Sequence, residues 1–153
     1  MADSIDRERC VIVPFAPEHL EQVHALEQAC FSTPWSYDGL LEELSNPMAV
    51  FRVALIDGEV AGYVGMHHIL DEGYITNIAV GERFRRQGIG RQLLNTLLAY
   101  GKENDLMFIS LEVRVSNAEA IALYQTAEFD SVGIRPDFYS GPTEDALIMT
   151  YTF

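Results

Sequence analysis

The sequence of 153 residues has few of the features that define several large classes of protein. Its two cysteines, Cys10 and Cys30, are too few for a disulfide framework and lack CxxC spacing, so we expect two reduced, buried thiols. No apolar run approaches the ~20 residues that span a bilayer. The opening segment MADSIDRERC lacks the basic and then apolar profile of a secretion signal. These absences predict a cytoplasmic protein with no membrane partner.

Basic residues are also scarce. The chain has 10 lysines and arginines against 23 aspartates and glutamates, for a formal charge of −13. Such a surface repels a nucleic-acid backbone, so the charge argues against nucleic acid as the main partner and favours a basic one. Four of the basic residues nevertheless fall within nine positions, at Arg83, Arg85, Arg86 and Arg91. This predicts one local anion site on an acidic protein.

The hydrophobic periodicity predicts eleven elements without a repeat or a linker between them. We predict helices at 17–30, 37–44, 89–103 and 116–129. We predict strands at 10–15, 50–56, 59–69, 74–80, 106–115, 131–135 and 146–152. This order predicts an α+β domain of three α/β/α layers, with a mixed, mainly antiparallel sheet of about seven strands and four helices. The length allows one core, so we expect a single domain over residues 1–153.

Local signals define three of the connections. Asp57-Gly58 is a hairpin dipeptide between two predicted strands. Ser116 and Glu119 have the spacing of a capping box at the start of the last helix. The segment RPDFYSGPTED, residues 135–145, predicts a loop between the last two strands.

The arginine-rich segment FRRQGIGRQLL, residues 84–94, has the pattern of an anion-binding helix N-terminus. Arg85, Gly88 and Gly90 form an RxxGxG motif between a predicted strand and a predicted helix. Glycines let the backbone approach a ligand, while the free amides and the dipole of the helix attract phosphate. A helix N-terminus with solvated arginines would explain the same residues. The P-loop motif GxxxxGK[ST] and the dinucleotide motif GxGxxG are both absent.

Five blocks in order resemble the GCN5-related N-acetyltransferases, and most of all the RimI-type ribosomal-protein-alanine enzymes of that superfamily. The matching blocks are FSTPWS, ITNIAV, RRQGIGRQLL, LEVRVSNAEAIALY and EDALIM. The resemblance implies acetyl-CoA as co-substrate and no metal. It also implies that acetyl-CoA lies in a cleft between the strands at 74–80 and 108–114.

The resemblance assigns a role to each matching residue. The pantetheine arm would pair with the backbone of Ile78, Ala79 and Val80. The pyrophosphate would be wrapped by Arg86, Gln87, Gly88, Ile89, Gly90 and Arg91. Asn117 would contact the arm, although a cap on the following helix explains it equally well. The candidate substrate-binding residues are Trp35, which packing under the short helices would also explain, and Tyr139.

Two further matches carry the chemistry that the resemblance implies. Glu112 matches the general base, and Tyr124 matches the general acid. Glu112 could instead face outward and pair with Arg114 or a neighbouring strand, and Tyr124 could be a core tyrosine. The chain departs from the family pattern at Glu128, where a glycine is usual. A glutamate there implies backbone strain or a different helix exit, which would displace Tyr124.

The implied reaction is acetylation of the N-terminal α-amine of a basic protein, most closely the N-terminal alanine of a small-subunit ribosomal protein. Acetylation of lysine side chains or of a small amine would fit the same fold and the same acidic surface. A non-catalytic acyl-CoA-binding module is a third interpretation, which the presence of both Glu112 and Tyr124 opposes. The adjacent His67 and His68 point to opposite faces of a strand and cannot share a metal ion.

Overall fold

The computed structural model describes residues 10–153, so the opening segment and its expected lack of a secretion signal lie outside the described residues. The strands are β1 (Cys10–Pro14), β2 (Ala49–Ile56), β3 (Glu59–Ile69), β4 (Glu72–Val80), β5 (Phe108–Arg114), β6 (Asp130–Tyr139) and β7 (Glu144–Thr152). The α-helices are α1 (Leu20–Cys30), α2 (Tyr37–Glu43), α3 (Ile89–Glu103) and α4 (Ala118–Thr126). The predicted order, with seven strands and four helices, is confirmed.

The sheet opens at one place, and this opening makes the cleft. The strand order is β1-β2-β3-β4-β5-β7-β6, and every neighbouring pair is antiparallel except β4 with β5. This parallel pairing is limited to Glu72–Tyr74 against Phe108–Ser110. A bulge in β4 at Thr76 follows directly, because Met66 pairs with Ile75 while Gly65 pairs with Asn77. Beyond that point β4 remains paired with β3 and β5 remains paired with β7, so β4 and β5 separate.

Helices cover both faces of the sheet, as the predicted three-layer fold requires. On one face, α3 packs Leu93, Leu94 and Leu97 into a core that also contains Met66 and Ile109. The second core, on the face covered by α1 and α2, contains Val23, Leu40, Phe51, Val53 and Tyr63. No helix in the described part of the chain is long and apolar enough to cross a bilayer.

The predictions for the last loop and for the cysteines need correction. The predicted loop at 135–145 is mostly strand, since Arg135 pairs with Ala146 and Tyr139 pairs with Glu144. Pro136 does not break β6, because an edge strand tolerates a residue without an N–H donor. The two thiols are half-buried rather than buried: Cys10 lies on the edge strand β1, and Cys30 ends α1 beside the cleft.

The ends of α4 show how its sequence fixes its limits. Asn117 caps the helix by accepting a hydrogen bond from the Ala120 N–H at 3.1 Å, so the predicted cap by Ser116 is wrong. At the other end Glu128 has a φ of 70°, which is a left-handed conformation, at the position where the family usually has glycine. The Glu128 N–H donates to Gln125, and the Phe129 N–H donates to Tyr124. These are the two bonds of a Schellman motif, so the expected strain is present and the expected change of exit is not.

Candidate active site

The arginine-rich segment folds as a turn that ends at the N-terminus of α3. Gly88 is the N-cap with a φ of 85°, and Arg86 also has a positive φ of 62°. The first helical hydrogen bond runs from the Gln92 N–H to the Gly88 carbonyl at 3.0 Å. The amides of Ile89 and Gly90 and that of the next residue therefore have no acceptor within the helix. This helix end presents free donors and the positive pole of its dipole.

The four arginines have different roles in this turn. Arg83 pairs with Glu59. Arg85 donates from Nε to the Val80 carbonyl at 3.0 Å and lies 3.5 Å from the Cys30 thiol, so it ties the turn to β4 and α1. Arg91 donates to a side chain on its own helix at 3.2 Å. Among the described residues, Arg86 alone of the four has no polar side-chain contact, and its charge is available to an anion.

A first cavity of about 580 Å³ lies between this turn, the end of β4 and α4. The predicted cofactor-binding residues that line it are Ile78, Ala79, Val80, Arg86, Gly88, Ile89, Gly90, Arg91 and Asn117. Gln87 does not line it and donates to the Arg83 carbonyl at 3.3 Å. A β-carbon on Gly90 would come within 3.2 Å of Leu123 on α4, so this glycine also allows close helix packing. The sequence prediction missed the wall made by Cys30, Phe31, Phe84 and Leu123.

A second cavity of about 650 Å³ continues from the first along the separated strands β4 and β5. The two cavities share Cys30, Phe31, Ile78, Asn117, Ala120 and Tyr124. The second cavity brings together the four residues that the sequence analysis selected for catalysis and substrate binding, Glu112, Tyr124, Trp35 and Tyr139. Tyr124 and Asn117 therefore stand where the cavities join, and Glu112 belongs to the second cavity alone.

Glu112 is the carboxylate that lines the second cavity. Its side chain is 30% exposed, and its Oε2 lies 4.0 Å from Nε of Arg135 on β6. Arg114 does not pair with it, because that guanidinium contacts Glu144 at 3.2 Å and stacks 4.5 Å above the Tyr139 ring. The expected pair of Glu112 with Arg114 is wrong, and the partner that another strand offers is Arg135. A long contact with β6 leaves the carboxylate accessible from the cavity.

Tyr124 is buried, yet its hydroxyl remains open to the cavities. Burial, and then the charge of Tyr139, raise the pKa of Tyr124 well above its ordinary value, so the phenol keeps its proton. The hydroxyl has no hydrogen-bond partner within residues 10–153. In the same residues Thr76 Oγ1 is the one fully buried side-chain polar atom without a partner, so the Tyr124 hydroxyl is not sealed in the core. A protonated donor thus faces the junction of the two cavities.

The remaining predicted residues are placed as follows. Trp35 packs edge to face on Phe51, 6.1 Å between ring centres, and it also lines the second cavity, so its role in substrate binding stays a prediction. His67 contacts Glu43, whereas His68 contacts the Tyr100 hydroxyl at 2.7 Å on the other face, which confirms their opposite orientation. Residues 10–153 contain no cluster of three or more side chains that could hold a metal ion.

Comparison with known proteins identifies the family of the chain. Residues 20–129 match the model of the acetyltransferase (GNAT) family. A Bacillus subtilis (strain 168) protein, provisionally named a ribosomal protein bS18-alanine N-acetyltransferase, is 40% identical over 136 residues, which cover 88% of this chain and 90% of that protein.

Solved structures show the same fold. The crystal structure of the ribosomal-protein-S18-alanine N-acetyltransferase from Escherichia coli has a TM-score of 0.87 and 31% identity, over 94% of this chain and 93% of that one. The structure of Arabidopsis thaliana NAA60 in complex with acetyl-CoA has a TM-score of 0.87 at 21% identity, over 94% and 98% of the two chains. The chain therefore belongs to the acetyltransferase (GNAT) family and is an acetyl-CoA-dependent N-acetyltransferase.

Proposed function

We propose that the chain acetylates the N-terminal α-amine of a protein that begins with alanine, and that this acceptor is a small-subunit ribosomal protein. The observation that carries the proposal is the pair of joined cavities, with Tyr124 at their junction and Glu112 in the second. The S18-alanine activity named for the Escherichia coli protein supports the choice of acceptor. The formal charge of −13 supports it too, because an acidic enzyme attracts a basic polypeptide.

The first cavity fits acetyl-CoA. The free amides of Ile89 and Gly90, the dipole of α3 and the Arg86 charge would hold the pyrophosphate. The β4 backbone at Ile78 and Val80, no longer paired with β5, would hold the pantetheine arm. Acetyl-CoA supplies an activated acetyl thioester at the junction with the second cavity.

Glu112 would act as general base on the acceptor side. An amine attacks a carbonyl only in its neutral form, so its proton must leave before or during attack. The carboxylate lines the second cavity and has no close cation to hold it, since Arg135 is 4.0 Å away. It can receive that proton directly or through a water molecule.

Tyr124 would act as general acid on the cofactor side. Because burial raises the pKa of its phenol, the hydroxyl is protonated throughout the neutral range. It lines both cavities, so it can reach the sulfur that leaves the acetyl group. Asn117, whose Oδ1 caps α4, has its amide nitrogen left over for a cofactor carbonyl.

The acid strength of the acceptor favours an α-amine over a lysine. An α-amine has a pKa of ~7.7 to 8.0 against ~10.4 for lysine, so its neutral form requires roughly 3 to 4 kcal/mol less at neutral pH. One carboxylate is sufficient for this smaller task. If the acceptor is instead a lysine side chain or a small amine, turnover should not depend on a free N-terminus of the acceptor.

A matched pair of peptides tests the proposal. Both begin with alanine and carry internal lysines, and one has its N-terminal amine blocked. We expect acetylation of the free peptide at its N-terminus and none of the blocked peptide, measured by mass spectrometry and by release of CoA thiol. Equal turnover of the blocked peptide would overturn the α-amine proposal and favour lysine as the acceptor.

A further inference from the structure

A buried carboxylate outside both cavities connects three segments that meet at the second cavity. Glu27 on α1 is 0% exposed, and its Oε1 accepts a hydrogen bond from the Trp35 backbone N–H at 2.9 Å. Its Oε2 accepts hydrogen bonds from the Tyr63 hydroxyl and, at 2.8 Å, from Nδ2 of Asn77. Burial, and then the Glu27 charge, raise the pKa of Tyr63, so that hydroxyl remains a donor.

These contacts compensate for the burial of Glu27 without a counter-charge. Within the described residues no lysine, arginine or histidine forms an ion pair with it. Three hydrogen-bond donors, from the segment after α1, from β3 and from the bulged part of β4, take the place of water. Loss of the carboxylate would release all three segments at once.

The same contacts fix the direction of the Asn77 side-chain amide. A carboxylate has no hydrogen to donate, so Asn77 must turn its nitrogen toward Glu27, and this Nδ2 also lies 3.3 Å from the Tyr63 hydroxyl. Asn77 Oδ1 has no donor within residues 10–153. It is not fully buried either, because Thr76 Oγ1 is the one buried side-chain polar atom there without a partner. Since Asn77 lines the second cavity, its Oδ1 is reachable from that cavity.

We propose that Glu27 is a positioning residue, which turns Asn77 Oδ1 toward the second cavity so that this oxygen accepts a hydrogen bond from an N–H of the incoming amine. The proposal rests on the proposed function, because it takes the second cavity as the acceptor site. Asn77 on β4 and Glu112 on β5 lie on the two sides of the opening in the sheet. The amine nitrogen is then held between an amide oxygen and a carboxylate, and the Trp35 segment is fixed beside it.

Glu27→Gln tests the direction of the amide. Glutamine offers one oxygen and one NH₂ group, so when its oxygen accepts from Trp35 its nitrogen faces Asn77. Asn77 must then turn its oxygen inward and present Nδ2 to the amine. We expect the peptide KM to rise about 10-fold or more, the range seen when polar groups lose their partners, with the KM for acetyl-CoA unchanged.

A double variant separates positioning from general damage to the structure. Asn77→Ala should raise the peptide KM to a similar extent, and Glu27→Gln combined with Asn77→Ala should raise it no further, because Glu27 acts through Asn77. Glu43→Gln is the matched control. Glu43 is also a buried carboxylate on this face, but it contacts His67 and Asn46 and lines neither cavity, so its variant should keep the wild-type peptide KM.

A measurement that does not need activity supports the kinetics. The side-chain amide protons of Asn77, assigned by their loss in Asn77→Ala, should exchange slowly with solvent in the wild-type chain and faster in Glu27→Gln. Fast exchange in the wild type, additive KM effects in the double variant, or a wild-type peptide KM in Glu27→Gln would each overturn the proposal. Should Glu27→Gln fail to fold by circular dichroism, Asn77→Ala and the wild-type exchange rate decide it.

The proposed function can fail separately. A wild-type chain that acetylates lysine and leaves alanine N-termini unmodified overturns the α-amine assignment. The Glu27 and Asn77 variants are then measured with the lysine peptide, and the same pattern of KM values is expected, because any amine offers an N–H to Asn77 Oδ1.

Discussion

A carboxylate that must collect a proton has to stay free of strong ion pairs, and Glu112 meets this condition with Arg135 at 4.0 Å. Glu112→Gln keeps the size of the side chain and removes its basic lone pairs. We expect kcat/KM at neutral pH to fall by ~10²-fold or more, with the affinity for acetyl-CoA unchanged. Higher pH should restore part of the activity, because more of the amine arrives deprotonated. Rates measured from pH ~6 to ~10 test both statements.

Glu103→Gln is the control for this change of charge. Glu103 is exposed at the end of α3 and lines neither cavity. Its variant should match the wild type at every pH. Wild-type rates for Glu112→Gln across the same range would make Glu112 a structural residue of β5 and remove it from the mechanism.

Tyr124→Phe should give a different pH profile. It removes the proposed proton donor, so kcat should fall, and higher pH should not restore it, because the leaving thiolate still lacks its proton. A thiol with a pKa near 8.5 can leave as an anion, so the loss should be smaller than for Glu112→Gln. Because the pKa of Tyr124 is raised, this hydroxyl remains protonated, and the wild-type rate should not decline as the pH is raised to ~10. A decline in the wild-type rate between neutral pH and pH ~10 that persists in Tyr124→Phe would contradict the assignment, because the acid that titrates there would then be a different group.

The residues that the sequence could identify are those carried by a local pattern. The RxxGxG motif is recognised from a few neighbouring letters, whereas Glu112 and Tyr124 were assigned by the blocks that resemble the family, and their roles stay predictions. Glu27 could not be found this way. Its three partners are 8, 36 and 50 positions away, and a lone glutamate on a helix is normally solvated.

At the scale of an element, the C-terminal end of α4 stores strain that a glycine would relieve. Glu128 holds a φ of 70°, which disfavours any residue with a β-carbon. Glu128→Gly should raise the free energy of unfolding by about 0.5 to 1 kcal/mol, after allowance for the greater freedom of glycine in the unfolded chain. Urea denaturation measures the change. Activity should remain, because the Schellman bonds to Tyr124 and Gln125 are already formed.

Gln125→Gly serves as the matched control in the same helix. Gln125 is also exposed but lies in the last turn of α4, where glycine should lower the free energy of unfolding by up to about 0.8 to 1.0 kcal/mol relative to a good helix former. Two glycine substitutions three positions apart should thus have opposite signs. If both destabilise the chain, the left-handed conformation of Glu128 is not a source of strain.

The elements were predictable where periodicity or a turn dipeptide defines them, and less so elsewhere. The apolar face of α3 and the Asp57-Gly58 turn both give the observed bounds. The extent of β6 was missed, because Pro136 and the polar residues around it indicate a loop. Its strand conformation comes from pairing with β7 and from its place at the sheet edge, which is tertiary information.

At the scale of the whole molecule, the order of elements predicts the layers, but the position of the cleft depends on one junction. The layers follow from the alternation of strands and helices. The cleft follows from the short pairing of β4 with β5 and from the bulge at Thr76. Neither feature can be predicted from the composition. The resemblance in sequence located that cleft, and the pairing explains it.

Charge is the other property of the whole molecule, and it predicts how acceptor affinity varies with salt. The chain has a formal charge of −13, and the turn before α3 concentrates four arginines on the cofactor side. Of two peptides that begin with alanine, one followed by lysines and arginines and one by glutamates, the basic peptide should have a KM lower by about 10-fold at low salt. At ~1 M salt, where the Debye length is ~3 Å, that difference should largely disappear. The value of kcat at saturating peptide should not change, because the charges act on encounter and binding rather than on the chemical step. A preference for basic peptides that persists at high salt would point instead to specific pockets for their side chains, and a preference for the acidic peptide would rule out a basic acceptor.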